Sequence, residues 1–361
     1  MQIVWHGYWN NTGYSIASQD YVLSLLSVKP EINIKLEFIN HSIGSGISKN
    51  REQLFTALHK KEKAKDYISL YHSIPPRYLR QQGAKQNIGF CVFETINTPP
   101  EWPSLMNNMD TILTASIFNK SIFENSGIKP PISIVPHCFD PNLFNKTVSP
   151  LGRYSMRTFL SIGTWKTRKN WDTLIKAWYS AFELKDNVCL LIKTDKPQEF
   201  KSLVVHIKST SEWRSKATAP IYCDDSSVCV FEDIPKIMKK ADFYISASRG
   251  EGFCIPVMHA MALGIPVITT RFGGVLEVAK PEYVTYFEPD KYERILNMDN
   301  IKQFSNCIWP HLSVEEISNK MRYVLVNHKT VEEKAQKAYD YVHNNFTYKV
   351  IGNKLLSVLS L

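Results

Sequence analysis

Short apolar runs alternate with stretches in which apolar residues recur every three or four positions, and this alternation covers most of the chain. Gln2–His6 reads as a strand, and Ser15–Leu26 as a helix entered after the turn Trp9-Asn10-Asn11-Thr12-Gly13. Ile34–Phe38, Tyr67–Leu70, Ile88–Phe93, Thr111–Ala115 and Ile132–Val135 read as extended, with Arg51–Lys63 and Ser116–Glu124 helical. The polar stretch Asn142–Arg157, holding Pro150 and Gly152, is the natural linker. A second series then predicts strands at Phe159–Gly163, Val188–Ile192, Val228–Phe231, Phe243–Ser246 and Pro266–Thr270. Its helix Trp171–Leu184 shows Leu174, Ala177, Trp178, Ala181 and Phe182 on one face, and the chain is helical from about Ser313. Strands alternating with helices predict mostly parallel sheets covered on both faces. The expected fold class is α/β: two doubly wound, Rossmann-like domains facing across a cleft. The boundaries expected are 1–150 and 151–340, with a last helix in 341–361 packing back toward the first domain.

The 361 residues suffice for two such cores, and hydrophobic residues at 44% argue for a folded chain over a disordered one. The opening Met-Gln-Ile-Val-Trp-His-Gly lacks a basic region followed by an apolar stretch, so no signal peptide is expected, and no apolar run approaches a membrane span. Cys91, Cys138, Cys189, Cys223, Cys229, Cys254 and Cys307 form no C-x-x-C pair, which predicts buried free thiols in a reducing, cytoplasmic setting. Lys and Arg number 43 against 34 Asp and Glu. That balance suits an anionic ligand, an anionic membrane surface or nucleic acid, and does not choose among them.

The chemistry concentrates between residues 246 and 277. A buried strand runs into Arg249-Gly250-Glu251-Gly252-Phe253-Cys254, a short helix carries Pro256 near its start, and a second strand runs into Gly273-Gly274. Two glycine-bearing turns then lie at the carboxyl ends of neighbouring strands, where open α/β sheets bind ligands. Two helix amino termini at that edge suit a diphosphate. In Gly163-Thr164-Trp165-Lys166-Thr167-Arg168-Lys169-Asn170, three cations open a helix, an unfavourable arrangement with the helix dipole unless an anion joins them. The plainer readings are a solvated basic loop for these cations and a helix N-terminal acid for Glu251. No Asp-x-Asp stands at a strand end, and Asp224-Asp225 reads as a turn, so no metal is expected at the donor site and Arg and Lys would replace a divalent ion. The lysines of His59–Lys65, and Lys236, Lys239 and Lys240, read first as solvated helix faces, and otherwise as contacts to an anionic membrane or to nucleic acid.

Glu251-Gly-Phe-Cys-Ile-Pro-Val-Met-His259 resembles the E-x7-E signature of family 4 (GT4-like) retaining glycosyltransferases of the GT-B fold. In the same order, Gly13 resembles that family's N-terminal glycine turn and Met109–Ser116 its D-x-hydrophobic-S strand. Val135–Phe144 is similar to the PNGVD…F loop, and Gly163–Lys169 to the VG…RKG segment. The resemblance implies a metal-independent transfer of a hexosyl group from a nucleotide-diphosphate sugar to an acceptor hydroxyl, with retention. It implies Arg168 and Lys169 on the donor diphosphate, Glu251 and the backbone of Gly252, Phe253, Cys254 and Ile255 on the transferred sugar, and Gly13 and Gly163 lining the donor. Glu232, Asp233 and Ile234 would meet the nucleobase. The second glutamate of the signature, a ribose ligand in the family, is His259 here, and imidazole keeps hydrogen bonding without the carboxylate charge. Ile88–Trp102 resembles a G…ET…P…W stretch in a subset of the family, which places Glu94 among the catalytic candidates. His72 and His137 are acceptor-side candidates. No cofactor is implied beyond the donor, UDP- or GDP-linked, and the acceptor could be a carbohydrate, lipid-linked sugar, protein or modified nucleic-acid base. The expected location is cytoplasmic, with peripheral contact to an anionic membrane surface as one option. Other readings are a sugar-nucleotide-binding protein without turnover, motivated by His259, and an epimerase or phosphorylase on a related fold.

Overall fold

The computed structural model describes residues 1–39, 42–224, 230–295 and 307–361. It comprises two units. One holds Met1–Leu143, the short segment ending at Ile234 and His343–Leu361; the other holds the remaining described residues between Phe144 and Val342.

The first unit runs β1 (Gln2–Gly7), α1 (Gly13–Val28), β2 (Asn33–Phe38), α2 (Lys49–Lys60), β3 (Tyr67–His72), β4 (Gln86–Phe90), α3 (Trp102–Met106), β5 (Thr111–Thr114), α4 (Ile117–Asn125) and β6 (Ile132–Ile134). Its six strands lie in the order β2-β1-β3-β4-β5-β6, all parallel. β3 is buried along its whole length, as befits an inner strand of an all-parallel sheet. Chain order reverses between β1 and β3, so the loops after these two strands sit at a topological switch point.

The second unit begins with β7 (Arg157–Ile162), α5 (Trp171–Ala181), β8 (Val188–Lys193), α6 (Pro197–Ser209) and β9 (Ile221–Asp224). After α7 (Ile234–Met238) come β10 (Phe243–Ser246), α8 (Ile255–Ala262), β11 (Val267–Thr270) and β12 (Thr285–Phe287). The strand order β12-β11-β10-β7-β8-β9 puts the reversal between β7 and β10. The antiparallel pair β13 (Lys291–Arg294) and β14 (Ile308–His311) follows, then α9 (Val314–Val326), α10 (His328–Asn345) and α11 (Tyr348–Leu359). The apolar face of α5 packs with Phe159, Phe182, Phe200 and Phe243 in the core.

α11 belongs to the first unit and packs on α1. A Cβ on Gly352 would stand 2.5 Å from the carbonyl oxygen of Ser24, so only glycine lets the two backbones approach this closely. Phe139 fixes the start of α11, its N–H donating to Phe346 O and its carbonyl accepting from Tyr348 N.

Three sequence expectations need correction. The strand expected at Val228–Phe231 is not one where it is described: residues 228 and 229 lie outside the described residues, and Phe231 opens a 3-10 turn. The strand of this region is β9, whose partly exposed residues give little apolar periodicity. The helix expected to reach Leu184 stops at Ala181, because Glu183 and Asp186 form a capping box that starts a new turn. The strand expected to reach Phe93 ends at Phe90, which leaves Glu94 in a loop. Cys91, Cys138, Cys189, Cys254 and Cys307 are buried and Cys223 is half-buried, all six outside any disulfide, while Cys229 lies outside the described residues.

Candidate functional site

Three consecutive loops at the carboxyl edge of the second sheet build one cluster. The loop after β7 carries Arg168 and Lys169 on a 3-10 turn, the loop after β10 carries Glu251, and the loop after β11 carries Gly273 and Gly274. β7 and β10 are the strands that flank the switch point, so the topology brings these loops together although about eighty residues separate them in sequence.

Glu251 is held from both sides. Arg168 Nη1 lies 2.9 Å from its Oε2, and Lys169 Nζ donates to its Oε1 at 2.6 Å. All three side chains are largely buried. Burial alone would push the Glu251 carboxyl upward, but the charges of Arg168 and Lys169 overcome it and hold the group down at about 2. Glu251 is therefore a permanent carboxylate at neutral pH. It can accept hydrogen bonds and cannot serve as a proton donor. Two cations against one anion leave the cluster with a surplus positive charge.

The backbone locks this geometry. Arg249 N donates to Arg168 O at 2.8 Å, and Arg168 Nη1 donates to Gly250 O at 2.5 Å. Ser248 Oγ donates toward the same two carbonyls, and Thr270 Oγ1 donates to Ser248 O at 2.7 Å. Gly274 N donates to Glu251 O at 2.7 Å, with Gly273 in the left-handed region at φ 89°. A Cβ on Gly273 would lie 2.8 Å from Glu251 O, so this position needs glycine for its dihedral and for the close approach. Asn170, at φ 61°, accepts from Arg249 Nε and from Thr173 Oγ1, tying the first loop to α5. Gly163 lies under the stem of Lys169, where a Cβ would meet Lys169 Cε at 3.1 Å.

α8 starts at this edge. Cys254 is its N-cap in the left-handed region at φ 72°, and the first-turn N–H groups of the helix face the loop that carries Glu251. Burial pushes the Cys254 thiol up to about 12, so it is not a nucleophile at neutral pH. The helix closes with Ile265 N donating to Ala260 O and Gly264 at φ 70°, a Schellman-type stop before Pro266. His259 is buried on α8, its ring stacked on Phe144 at 3.8 Å between centroids and 16° between planes. Phe144, the last residue of the PNGVD…F-like stretch, is thus the packing partner of the signature's altered position, a pairing that leaves no signal in the order of residues.

The other expected site residues lie in the first unit. Glu232 takes the guanidinium of Arg51 at 3.0 Å and the hydroxyl of Ser48 at 2.7 Å; Asp233 completes the same 3-10 turn and Ile234 begins α7. Arg51 also reaches Asp20 at 3.8 Å, and Tyr348 OH donates to that carboxyl. Burial raises Asp20 to about 7 against the opposing pull of Arg51 and Tyr348. Gly13 opens α1 with space around it, since a Cβ there would meet nothing within 4 Å.

His72 ends β3 at the first unit's switch point, fully buried. Ser18 Oγ accepts from Trp5 Nε1 at 3.4 Å and lies 2.5 Å from His72 Nδ1, within hydrogen-bond distance. A Cβ on Gly7 would come within 2.9 Å of Ser18 Oγ, so glycine keeps that hydroxyl in place. His137 Nδ1 pairs with Tyr21 OH, whose proton goes to Val135 O, so the ring donates. Burial pushes both imidazoles down, His137 to about 3, and both are neutral. The structure thus brings together Arg168, Lys169, Glu251, Gly163 and the start of α8 in one unit, and His72 with His137 in the other.

With this geometry in view, residues 156–308 match the family model described as Glycosyl transferases group 1, a span that includes every member of the cluster. HepE of Anabaena, solved in complex with UDP-glucose, superposes with a TM-score of 0.71 at 13% identity, covering 100% of this chain and 99% of that one. Sucrose-phosphate synthase from Thermosynechococcus elongatus superposes with a TM-score of 0.69 at 14% identity, covering 100% and 98%. Among curated relatives, a phosphatidylinositol N-acetylglucosaminyltransferase subunit of Arabidopsis thaliana is 24% identical over 216 residues, which span 60% of this chain. The match takes in 45% of that relative's own length.

Proposed function

We propose that this chain, whose residues 156–308 match the group 1 glycosyl transferase model and whose fold matches GT-B glycosyltransferases, moves a hexosyl group from a nucleotide-diphosphate sugar to an acceptor hydroxyl, without a metal and with retention. One observation carries the reading: two cations converge on a buried, permanently ionised glutamate at the switch point of a doubly wound sheet.

The surplus positive charge of that cluster suits a diphosphate. As the sugar–phosphate bond breaks, charge grows on the leaving oxygen, and Arg168 and Lys169 stabilise it from fixed positions in a site of low dielectric. Glu251 keeps the two cations from repelling each other and offers carboxylate oxygens to the hydroxyls of the transferred sugar. The backbone N–H groups of Gly252–Ile255, which lead into α8, add further donors to the ligand. No side chain of the cluster is a covalent nucleophile: Glu251 is committed to two cations and the Cys254 thiol stays protonated. Retention then proceeds on the front face, the leaving phosphate taking the proton of the acceptor hydroxyl. Gly13 and Glu94 stand as donor- and sugar-side positions of the same reading, Glu232–Ile234 as the nucleobase loop, His259 as the ribose-side position, and His72 and His137 as acceptor-side groups.

A thermal-shift and hydrolysis screen against UDP-, GDP-, ADP- and dTDP-sugars tests the reading, with NMR of the product for the anomeric outcome. A stabilising shift with one nucleotide sugar and an α product from an α donor are expected. No response to any of the four, or an inverted product, would overturn donor class or stereochemistry respectively.

A further inference from the structure

The opposite, amino edge of the second unit's sheet carries a charge arrangement that the donor site does not use. A pocket of about 180 Å³ there is lined by Arg153, Arg157, Lys239, Asp242 and Glu332, among others. Lys239 is half-buried, and burial, with the nearby charges of Arg153 and Lys146, pushes its ammonium below the usual range. Lys146 is fixed from three directions: its stem lies over Gly264, its ammonium stands 4.3 Å from the Tyr339 ring centre, and it donates to Gln336 Oε1. Of the nearby carboxylates, Asp242 is taken by Arg157 and Thr158 N, and Asp340 accepts the Gln336 amide, leaving Glu332 to face the remaining cations.

Beside this cluster stands an exposed apolar tip. Leu151 is 59% exposed, its N–H donates to Lys236 O at 3.1 Å, and Gly152 turns the chain at φ 74°. A Cβ on Gly152 would meet nothing within 4 Å, so the turn has open space at that position. Lys236, whose carbonyl holds the turn, and Arg153, two residues on, are both exposed. An exposed leucine held on a clamped turn beside several cations is well placed for an interface that is anionic outside and apolar beneath.

We propose that the Leu151 tip and the cations Lys146, Arg153, Lys236 and Lys239 dock on an anionic membrane surface, the lysines and arginine on lipid phosphates and Leu151 at the acyl boundary. Nucleic acid and free phosphate would use the cations alone, and the apolar tip decides for the membrane. The proposal stands apart from the donor reading, since none of these residues belongs to the Glu251 cluster.

Co-sedimentation with phosphatidylcholine vesicles, with and without phosphatidylglycerol, tests it. The chain should sediment with the anionic vesicles only and be released by salt. Lys146→Gln, Arg153→Gln and Lys239→Gln together should lower partitioning roughly a hundredfold, about fivefold for each charge near the surface. Leu151→Ser, at an exposed site that leaves the fold intact, should lower it several-fold without changing the salt dependence. Equal binding to both vesicle types would overturn the proposal. So would displacement by inorganic phosphate or by a DNA duplex with Leu151→Ser unchanged, which assigns the cations to a soluble anion or to nucleic acid.

Discussion

Glu251 carries two opposed requirements, burial and full ionisation, and only Arg168 and Lys169 reconcile them. Its folded value of about 2 lies below the ordinary 4.5, so the group stabilises the fold above pH 4.5 and that contribution is lost as pH falls toward 2. The shift corresponds to about 3 kcal/mol. Denaturant melts between pH 6 and pH 3 should show this loss in the natural chain and a clearly smaller one in Glu251→Gln, and equal slopes would contradict the ion triad. Removing one cation alone leaves a buried carboxylate half-compensated, at a cost of about 3–5 kcal/mol. The charge-balanced pair Lys169→Met with Glu251→Gln avoids that penalty and isolates the chemistry. It should keep most of the stability while turnover falls by roughly two to three orders of magnitude. The cations and Glu251 were legible in the sequence because glycines and charges stood at strand ends. The stacking of His259 on Phe144 was not, because more than a hundred residues separate the two rings. His259→Phe should retain melting temperature, and an unchanged KM for the donor would reduce this position to packing.

At the scale of elements, the site depends on loops that turn where an ordinary residue cannot. Gly273→Ala drives a Cβ against Glu251 O and strains a positive φ, so Gly274 loses its bond to that carbonyl. A destabilisation of about 1–3 kcal/mol, together with weakened donor binding, is expected from calorimetry. Most buried strands were readable as apolar runs, and α5 as a face of period 3.6. β9 was not, because its residues are partly exposed, and the valine-bearing stretch after it carries the stronger strand pattern. The end of α5 escapes the pattern for a similar reason: Phe182 and Leu184 continue the apolar spacing, while the capping box between Glu183 and Asp186 stops the helix locally.

For the whole chain, two parallel sheets were implied by the repeated alternation, whereas their strand orders, reversing after the first two strands in one and after the first three in the other, were not. The final helix belongs to the first unit, where Tyr348, Ile351, Leu355 and Leu359 are buried and Gly352 touches Ser24. Deleting 343–361 uncovers α1 and should leave the first unit proteolytically labile while the 156–308 domain persists; resistance of both to limited proteolysis would contradict this packing.

Titration calorimetry of the natural chain and of the Lys169→Met, Glu251→Gln variant with the nucleotide sugar found by the screen tests the cation–carboxylate cluster most directly. Tight binding by the natural chain and a loss of about a hundredfold in the variant, which keeps most of its stability, are expected. Equal affinities would place the diphosphate elsewhere and contradict that expectation.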